Sequence, residues 1–296
     1  MNAITRLHPF SILIYTAAAV TGALTIKNPI FLLISIFFAC IIFIQISPLK
    51  AALKELLFFG ILMLAMTVIN PIFNHRGNTP IVFINNLPIT IEAIIYGVIS
   101  SMSIISVIIW CRIFTIALTT DMLLFLIGKV SPNIAVLISL ALRFIPDLKL
   151  QWKKIKNSAV VSGNFNCESF ILKIKSYLTV FSALITNSLE NAVQTANSMK
   201  ARGFELKNKT TLSIYKFRLT DILITFISIV SIGSDIICLA SSDVNPEFYP
   251  EFILPSMNLK LLLSIIINTG LFFMLILISV KLSNSRKRSF HEYIKR

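Results

Sequence analysis

Long apolar runs separated by short polar segments make up much of the chain. Six such runs occur, at roughly residues 10–26, 30–46, 55–73, 88–110, 220–240 and 259–280. Each is near the length of ~20 residues that a helix needs to cross a bilayer. The pattern therefore predicts an all-α, polytopic membrane protein with about six spans.

The middle of the chain has a different pattern, because its apolar runs are short and interrupted by charge. Ser131 followed by Pro132 is a favourable helix start, since proline suits the first helical turn. The apolar run after it continues through "DLKLQWKKIKNS" as one long helix that leaves the membrane, and Pro146 could kink it.

A second long helix is predicted from Glu168 to Ala201. Apolar or small side chains recur at helical spacing on one face, at Phe181, Leu184, Ile185, Leu189, Ala192, Val193, Ala196 and Met199. Polar side chains occupy the opposite face, at Asn187, Glu190, Asn191, Gln194, Asn197 and Ser198. We expect an amphipathic helix that packs on another helix at the inner membrane boundary, where Ala192 and Ala196 would permit a close crossing.

These patterns divide the chain into three parts. Residues 1–112 form an N-terminal membrane block of about four spans, residues 113–218 a helical domain on the cytoplasmic side, and residues 219–296 a C-terminal block of two spans. The last part ends in a basic tail, which we expect at the inner face beside anionic headgroups. Asn85 and Asn86 lie between two apolar runs in the longer outer loop, which favours a small hairpin there.

Charge supports this topology. The chain has 56% hydrophobic and 14% charged residues, a mean hydropathy of +0.84 and a net charge of +14, whereas soluble domains average about 25% charged residues. With the N-terminus inside, the predicted outer segments hold only Lys27, Arg76 and Lys260 of the 27 basic residues. This is the positive-inside asymmetry, so the charge reports topology and disfavours a nucleic-acid partner. No signal-peptide cleavage site stands out, so the first run is expected to be a retained span.

Signatures of catalysis are missing from the sequence. Gly128-Lys129 is followed by Val130 and lacks the upstream glycine of a phosphate-binding loop. The four cysteines and the three histidines (Cys40, Cys111, Cys167, Cys238, His8, His75 and His291) are widely separated, so we predict no disulfide, no metal and no cofactor. We expect Cys40 and Cys238 to be small packing residues.

Two acidic residues fall within or beside apolar runs. A truly buried acid in a membrane suggests a proton or substrate site. Glu92 and Asp235 both lie close to predicted outer edges of spans, and we expect both at the interface.

One polar sequence motif occurs twice in the chain. "NSMKARGFE" begins at Asn197, and "NSAVVSGN" begins forty positions earlier, with Ser162 in place of Arg202. An Arg-Gly pair is by itself an ordinary helix stop, since arginine complements the C-terminal dipole and glycine ends helices. Alternatively, Arg202 projects a planar charged fork toward a partner, between the small residues Ala201 and Gly203.

Several motifs, in this order and spacing, resemble the transmembrane T component of energy-coupling factor (ECF) importers for vitamins and metal ions. They are "RLHP" at 6–9, "NPIFNHRGNT" at 70–79, "LPITIEAIIYG" at 87–97, "ALRFIPDLKLQWKKI" at 141–155, "ENAVQTANSMKARGFE" at 190–205 and "SIYKF" at 213–217. The resemblance covers nearly the whole chain. It implies a bacterial cell-membrane protein, with both termini cytoplasmic, that is not an enzyme.

The resemblance also implies partners. Two cytoplasmic ABC-type ATPases would dock on two crossing coupling helices, each ending in an Ala-Arg-Gly motif, and a small membrane S component would capture the substrate. Ala201, Arg202 and Gly203 match the second motif. The first motif falls on Val161, Ser162 and Gly163, where only the glycine matches.

The degenerate first motif suggests a weaker docking site and two non-identical ATPases. Lys153, Lys154 and Lys156 either supply charge there or form a solvated basic face. Two other functions remain open: a self-sufficient secondary carrier or channel, and a membrane-embedded enzyme. The substrate is not encoded in this chain, because in the family another subunit binds it.

Overall fold

A computed structural model describes residues 7–74, 77–84, 87–163, 170–204, 215, 217–241 and 258–294. For residues 82–84, 87 and 279–294 it describes the backbone alone. The described helices are α1 (Pro9–Thr25), α2 (Pro29–Ile46), α3 (Leu49–Phe73), α4 (Ile91–Ala117), α5 (Thr120–Val130), α6 (Pro132–Val161), α7 (Phe170–Ala201), α8 (Leu219–Ala240) and α9 (Leu259–Ile294). The strands are β1 (Pro80–Ile84) and β2 (Leu87–Thr90).

The chain divides into two compact units. The membrane unit consists of Met1–Leu123 and Tyr215–Arg296, and the helical unit consists of Leu124–Ile214. Each is described by itself below.

Five helices in the described part of the membrane unit are long and apolar enough to span a bilayer: α2, α3, α4, α8 and the Leu259–Ile278 part of α9. The apolar helix α1 has 17 residues, at the short end of the range for a span. The prediction of an all-α, polytopic membrane protein is confirmed.

Helices α1 and α2 start in the same way. In each, a proline occupies the first turn, and the residue before it caps the helix: Phe10 N–H donates to His8 Nδ1 at 3.3 Å, and Ile30 N–H to Asn28 Oδ1 at 3.0 Å. These bonds satisfy backbone donors that a helix start leaves open. They explain why α1 and α2 begin at the prolines of "H-P" and "N-P".

An aromatic cluster lies at the centre of the membrane unit. Trp110 of α4 stacks on Phe272 of α9 with ring centroids 4.9 Å apart, and Tyr15 of α1 meets Trp110 edge-on at 5.7 Å. The indole N–H of Trp110 donates to Ser35 Oγ on α2 at 3.0 Å, so its polar atom is satisfied inside an apolar bundle. The cluster joins four helices.

The predicted outer hairpin is present as two strands. β1 and β2 pair antiparallel, with Ile84 opposite Leu87, while the turn residues Asn85 and Asn86 lie outside the described residues. At the base of the hairpin, Thr79 Oγ1 donates to Glu92 Oε1 at 2.8 Å. Glu92, whose side chain is buried, thus fastens this loop to the first turn of α4; its expected position at the membrane interface stays a prediction.

The expectation for Asp235 is wrong. Its side chain is completely buried and accepts hydrogen bonds from Ser264 and Asn268 of α9. Proximity to a helix end along the chain says how deep a residue lies but not which way its side chain points. Asp235 faces the neighbouring helices rather than the membrane surface.

Candidate functional site

Helices α6 and α7 run antiparallel to each other in the helical unit. Near one end, Lys156 Nζ of α6 lies 5.3 Å from the ring centroid of Tyr177 of α7. Toward the other end, Arg143 of α6 and Arg202 of α7 line the same groove. The C-terminal half of α6 therefore lies beside the N-terminal half of α7, as in an αα-hairpin.

Helix α7 ends in a Schellman cap at the predicted motif. Gly203 N–H donates to Lys200 O at 3.0 Å, and Phe204 N–H to Met199 O at 3.1 Å. Gly203 has a φ of +77°, a left-handed conformation that glycine adopts without a steric penalty. The glycine of the motif is therefore required by the backbone of the helix end.

Helix α6 ends in the same way, forty residues earlier. Gly163 N–H donates to Val160 O at 3.0 Å, and Gly163 has a φ of +79°. Ser162 forms the cap, as Arg202 does at the other end, and each N–H of these two cap residues bonds the carbonyl four residues before it. The repeated sequence motif therefore corresponds to a repeated backbone structure.

The two caps differ in what they present. Ser162 Oγ donates to Ser158 O of its own helix at 2.9 Å, so its hydroxyl is turned back on α6. Arg202 is exposed, and among the described residues no carboxylate lies within 4.0 Å of its guanidinium. A guanidinium is always charged and presents five donors, so Arg202 is available to a partner.

The flanking motif residues are accessible too. Val161 is 89% exposed, and a side chain at Gly163 would meet no atom within 4 Å. Ala201 is exposed and Gly203 is half-buried. The described residues of both caps are therefore at least partly accessible.

The hairpin holds the two motifs apart rather than bringing them together. Arg202 lies near Arg143 on α6, and Ser162 lies 19 residues farther along α6. At 1.5 Å per residue this corresponds to roughly 28 Å along the helix axis. The arrangement provides two separate contact points, one at each end of the pair.

A groove of about 630 Å³ with polar and apolar lining lies between α6 and α7. Its lining includes Arg143, Asp147 and Gln151 of α6 and, on α7, residues of the last four turns together with the cap residue Arg202. Gln151 Oε1 is buried there without a hydrogen-bond partner. These three α6 residues were not predicted as a group from the sequence, although their spacing of four places them on one helix face.

The prediction of which α7 face packs on another helix is partly wrong. The buried or half-buried positions of α7 are Ser176, Val180, Leu184, Ser188, Asn191, Thr195 and Met199. Leu184 and Met199 were expected there, whereas Phe181, Ile185, Leu189 and Val193 are exposed. The helix therefore meets α6 with a mixed face and leaves an apolar stripe, formed by those four residues, beside it.

The three lysines near the first motif do not act alike. Lys153 and Lys154 are exposed, as expected of a solvated basic face. Lys156 is half-buried and lies over the ring of Tyr177, a cation–π contact that helps to hold α7 against α6. No group of three His, Cys, Asp or Glu side chains that could hold a metal ion occurs among the residues described.

His8 and Phe217, which belong to two short motifs far apart in the sequence, meet in space. The His8 ring, in "RLHP", stacks on Phe217, in "SIYKF", with centroids 3.7 Å apart. Asp221 Oδ1 accepts from His8 N–H at 3.1 Å, and Asp221 Oδ2 accepts from Arg218 N–H at 3.0 Å. One carboxylate thus caps the starts of both α1 and α8, directly after the chain leaves the helical unit.

Comparisons with known proteins agree with this architecture. The chain is 27% identical over 212 residues to the energy-coupling factor transporter transmembrane protein EcfT of Ruminiclostridium cellulolyticum, which covers 68% of this chain and 79% of that protein. It is 31% identical over 111 residues to EcfT of Streptococcus equi subsp. equi, covering 37% of this chain and 41% of that protein.

A third relative is the uncharacterized protein MG181 of Mycoplasma genitalium, 30% identical over 102 residues, or 33% of this chain. The match spans about a quarter of the length of that protein. The family described as CbiQ, cobalt transport protein, matches residues 2–212. Because this match covers well over half of the sequence and includes both long helices with their caps, the chain belongs to the CbiQ family.

Proposed function

We propose that this chain is the transmembrane coupling (T) component of an ABC-type ECF importer. It would transmit ATP-driven motion of two cytoplasmic ATPases to a membrane subunit that binds a vitamin or a metal ion. The observation that carries the proposal is the repeated helix cap: two exposed ends that share the same cap hydrogen bonds and a glycine of positive φ, at opposite ends of one antiparallel helix pair. Two relatives named EcfT support it.

The two caps are the proposed ATPase-docking sites, formed by Ala201, Arg202 and Gly203 and by Val161, Ser162 and Gly163. Arg202 would enter a groove of one ATPase and bind carboxylates or carbonyls through its charged fork. Ser162 has no such fork and its hydroxyl is bonded within α6. The contact at Ser162 is therefore expected to be weaker than that at Arg202 and to suit a different ATPase.

The loose packing between α6 and α7 supports movement of one helix against the other. Helix α6 has no fully buried residue, and α7 has only Val180. A groove with a mixed polar and apolar lining separates the C-terminal half of α7 from α6. A change in crossing angle would therefore break few close contacts, whereas a tightly packed interface resists such shifts. Closure of the ATPase dimer would draw the two caps toward each other and change that angle.

The apolar stripe on α7 is the proposed contact for the S component. Phe181, Ile185, Leu189 and Val193 fall at successive helical turns and are each at least half exposed. Exposed apolar surface of this extent marks an interaction site in most proteins. A membrane subunit offers a matching apolar surface, so movement of α7 would act on it directly and tilt it to release its cargo inward.

The remaining expectations are part of the same proposal. The chain would lie in a bacterial cell membrane with both termini cytoplasmic, because its basic residues concentrate on one side of the predicted spans. It would not be an enzyme, since ATP hydrolysis belongs to separate subunits. Its three sequence segments would correspond to a membrane block, the coupling helices and a second membrane block.

Affinity purification of the tagged chain from its native membranes tests this function. We expect two ABC-type ATPase chains and a small membrane protein to co-purify and to be identified by mass spectrometry. Substrate uptake into vesicles that contain this chain alone would contradict the proposal and would instead indicate a self-sufficient carrier.

A further inference from the structure

A buried polar cluster joins three helices inside the membrane unit. Asp235 of α8 accepts two hydrogen bonds at Oδ1, from Ser264 Oγ at 3.0 Å and from Asn268 Nδ2 at 2.9 Å. These three side chains are all fully buried. An intramembrane acid of this kind calls for an explanation, because a buried charge is costly in a bilayer.

The groups around Asp235 are satisfied by one another. Asn268 Oδ1 accepts from Ser231 Oγ at 2.8 Å, and Asn268 Nδ2 also donates to Ser264 O at 3.0 Å. These bonds fix the orientation of the Asn268 amide. One atom remains outside the network: Asp235 Oδ2 is buried and has no hydrogen-bond partner.

The unpartnered oxygen faces α1. A Cβ placed on Gly22 would lie 3.3 Å from Asp235 Oδ2 and 3.1 Å from Asn268 Oδ1. Glycine therefore lets the α1 backbone come close, and it leaves little room for an ion or a water molecule. The Thr21 side chain lies within hydrogen-bond reach of the carboxyl group as well, and its hydroxyl donates to Ala18 O at 3.0 Å.

Charged and titratable neighbours do not neutralise Asp235. Cys238 on the same helix donates its thiol to Lys260 O at 3.7 Å, and Lys260 Nζ donates to Ser241 Oγ at the end of α8. Among the described residues, the ion pair within 4.0 Å is that between Arg112 and Glu55. An ionised Asp235 would therefore be a buried, unpaired charge, which strongly disfavours the folded state.

We propose that Asp235 is held in the protonated form and that Oδ2–H donates to the free lone pairs of Thr21 Oγ1. The Asp235 carboxyl group is thus a proton-binding site that makes an uncharged clamp between α1, α8 and α9. With this proton every polar atom of the cluster has a partner: Oδ1 accepts from α9, Oδ2–H donates to α1, and the Thr21 hydroxyl still donates to its own helix. The inference does not depend on the proposed transport function.

Substitution by asparagine is the sharpest test, because its amide has nearly the shape and the donor–acceptor pattern of a protonated carboxyl group. In the purified full-length protein, Asp235→Asn should retain the thermal unfolding midpoint of the native chain. Asp235→Ala should lower that midpoint and the yield of folded protein. A midpoint for Asp235→Asn as low as that for Asp235→Ala would overturn the proposal.

Infrared spectroscopy reports the protonation state of the Asp235 carboxyl group, which a purely structural role of this residue would not fix. The native protein should show a carboxylic-acid C=O band at neutral pH that Asp235→Asn lacks. A missing band, or an unfolding midpoint of the native chain that rises with sodium relative to potassium, would show instead that Asp235 is ionised. Gly22→Ala should lower the midpoint by crowding Oδ2, whereas Gly270→Ala, where a Cβ meets no atom within 4 Å, should not.

Discussion

Ser162 and Arg202 occupy the same structural position, as the cap residues of α6 and α7, and each precedes a glycine in the left-handed conformation. The backbone of the two helix ends is shared, whereas the side chain of the cap is not. Any functional difference between these ends must therefore come from side chains and not from helix geometry. This makes the two caps well suited to substitution experiments.

Arg202→Glu should detach one ATPase. The substitution removes a charge-assisted contact worth about 1.5–3 kcal/mol and adds repulsion against acidic groups in the partner. ATPase retained on the tagged chain after washing should fall about tenfold or more. Lys149→Glu, the same charge change at an exposed position along α6, serves as the control and should retain both ATPases. Undiminished retention in Arg202→Glu would remove this residue from the docking site.

Ser162→Arg should strengthen the proposed ATPase contact at the end of α6. The backbone at Ser162 already matches that at Arg202, so an arginine there would project in the same way. The hydroxyl bond to Ser158 O is exposed, and its loss should cost little. We expect more ATPase to survive a high-salt wash than with the native chain. Weaker retention would mean that the first site requires a small cap residue.

Gly203→Ala should deform the proposed docking site at the end of α7. An alanine at a φ of +77° costs about 1–2 kcal/mol of conformational strain, which the last turn would relieve by unwinding. ATPase retention should drop although Arg202 is intact. Gly60→Ala is the matched control, because a side chain there meets nothing within 4 Å. Equal retention in the two variants would show that cap geometry is unimportant.

The sequence was a good guide where local chemistry decides the structure. Ser131 and Pro132 marked the start of α6, and the Arg-Gly pair marked the end of α7, since caps are set by neighbouring residues. It was a poor guide to which face meets which helix. Apolar spacing on α7 predicted that Ile185 and Leu189 pack on another helix, but both are exposed, since an apolar face of a membrane protein need not be covered by its own chain.

The buried acid illustrates the same limit. Asp235 and its partner Asn268 are separated by 33 residues, and no spacing rule links a residue on one helix to a residue on the next. Their contact depends on the packing of α8 against α9 and on the absence of a side chain at Gly22. Such convergence is a property of the folded bundle and not of any single segment.

Leu189→Glu should release the S component while the ATPases stay bound. Leu189 is 67% exposed within the apolar stripe, so the substitution should not unfold the helix but would place a charge against an apolar partner. Co-purification of the small membrane subunit is the readout. Asn187→Glu, on an exposed polar position of the same helix, should leave the complex intact. Retention of the S component by Leu189→Glu would place its contact elsewhere.

Site-specific cross-linking from the two caps tests the central claim most directly. A photoreactive residue is placed at Ser162 in one variant and at Arg202 in another, and the cross-linked chains are identified in the assembled complex. The proposed function predicts that each position captures an ATPase and that the two positions capture different ATPase chains. Capture of the same ATPase chain from both positions would contradict the proposed asymmetry, and capture of no ATPase from either position would contradict the coupling role itself.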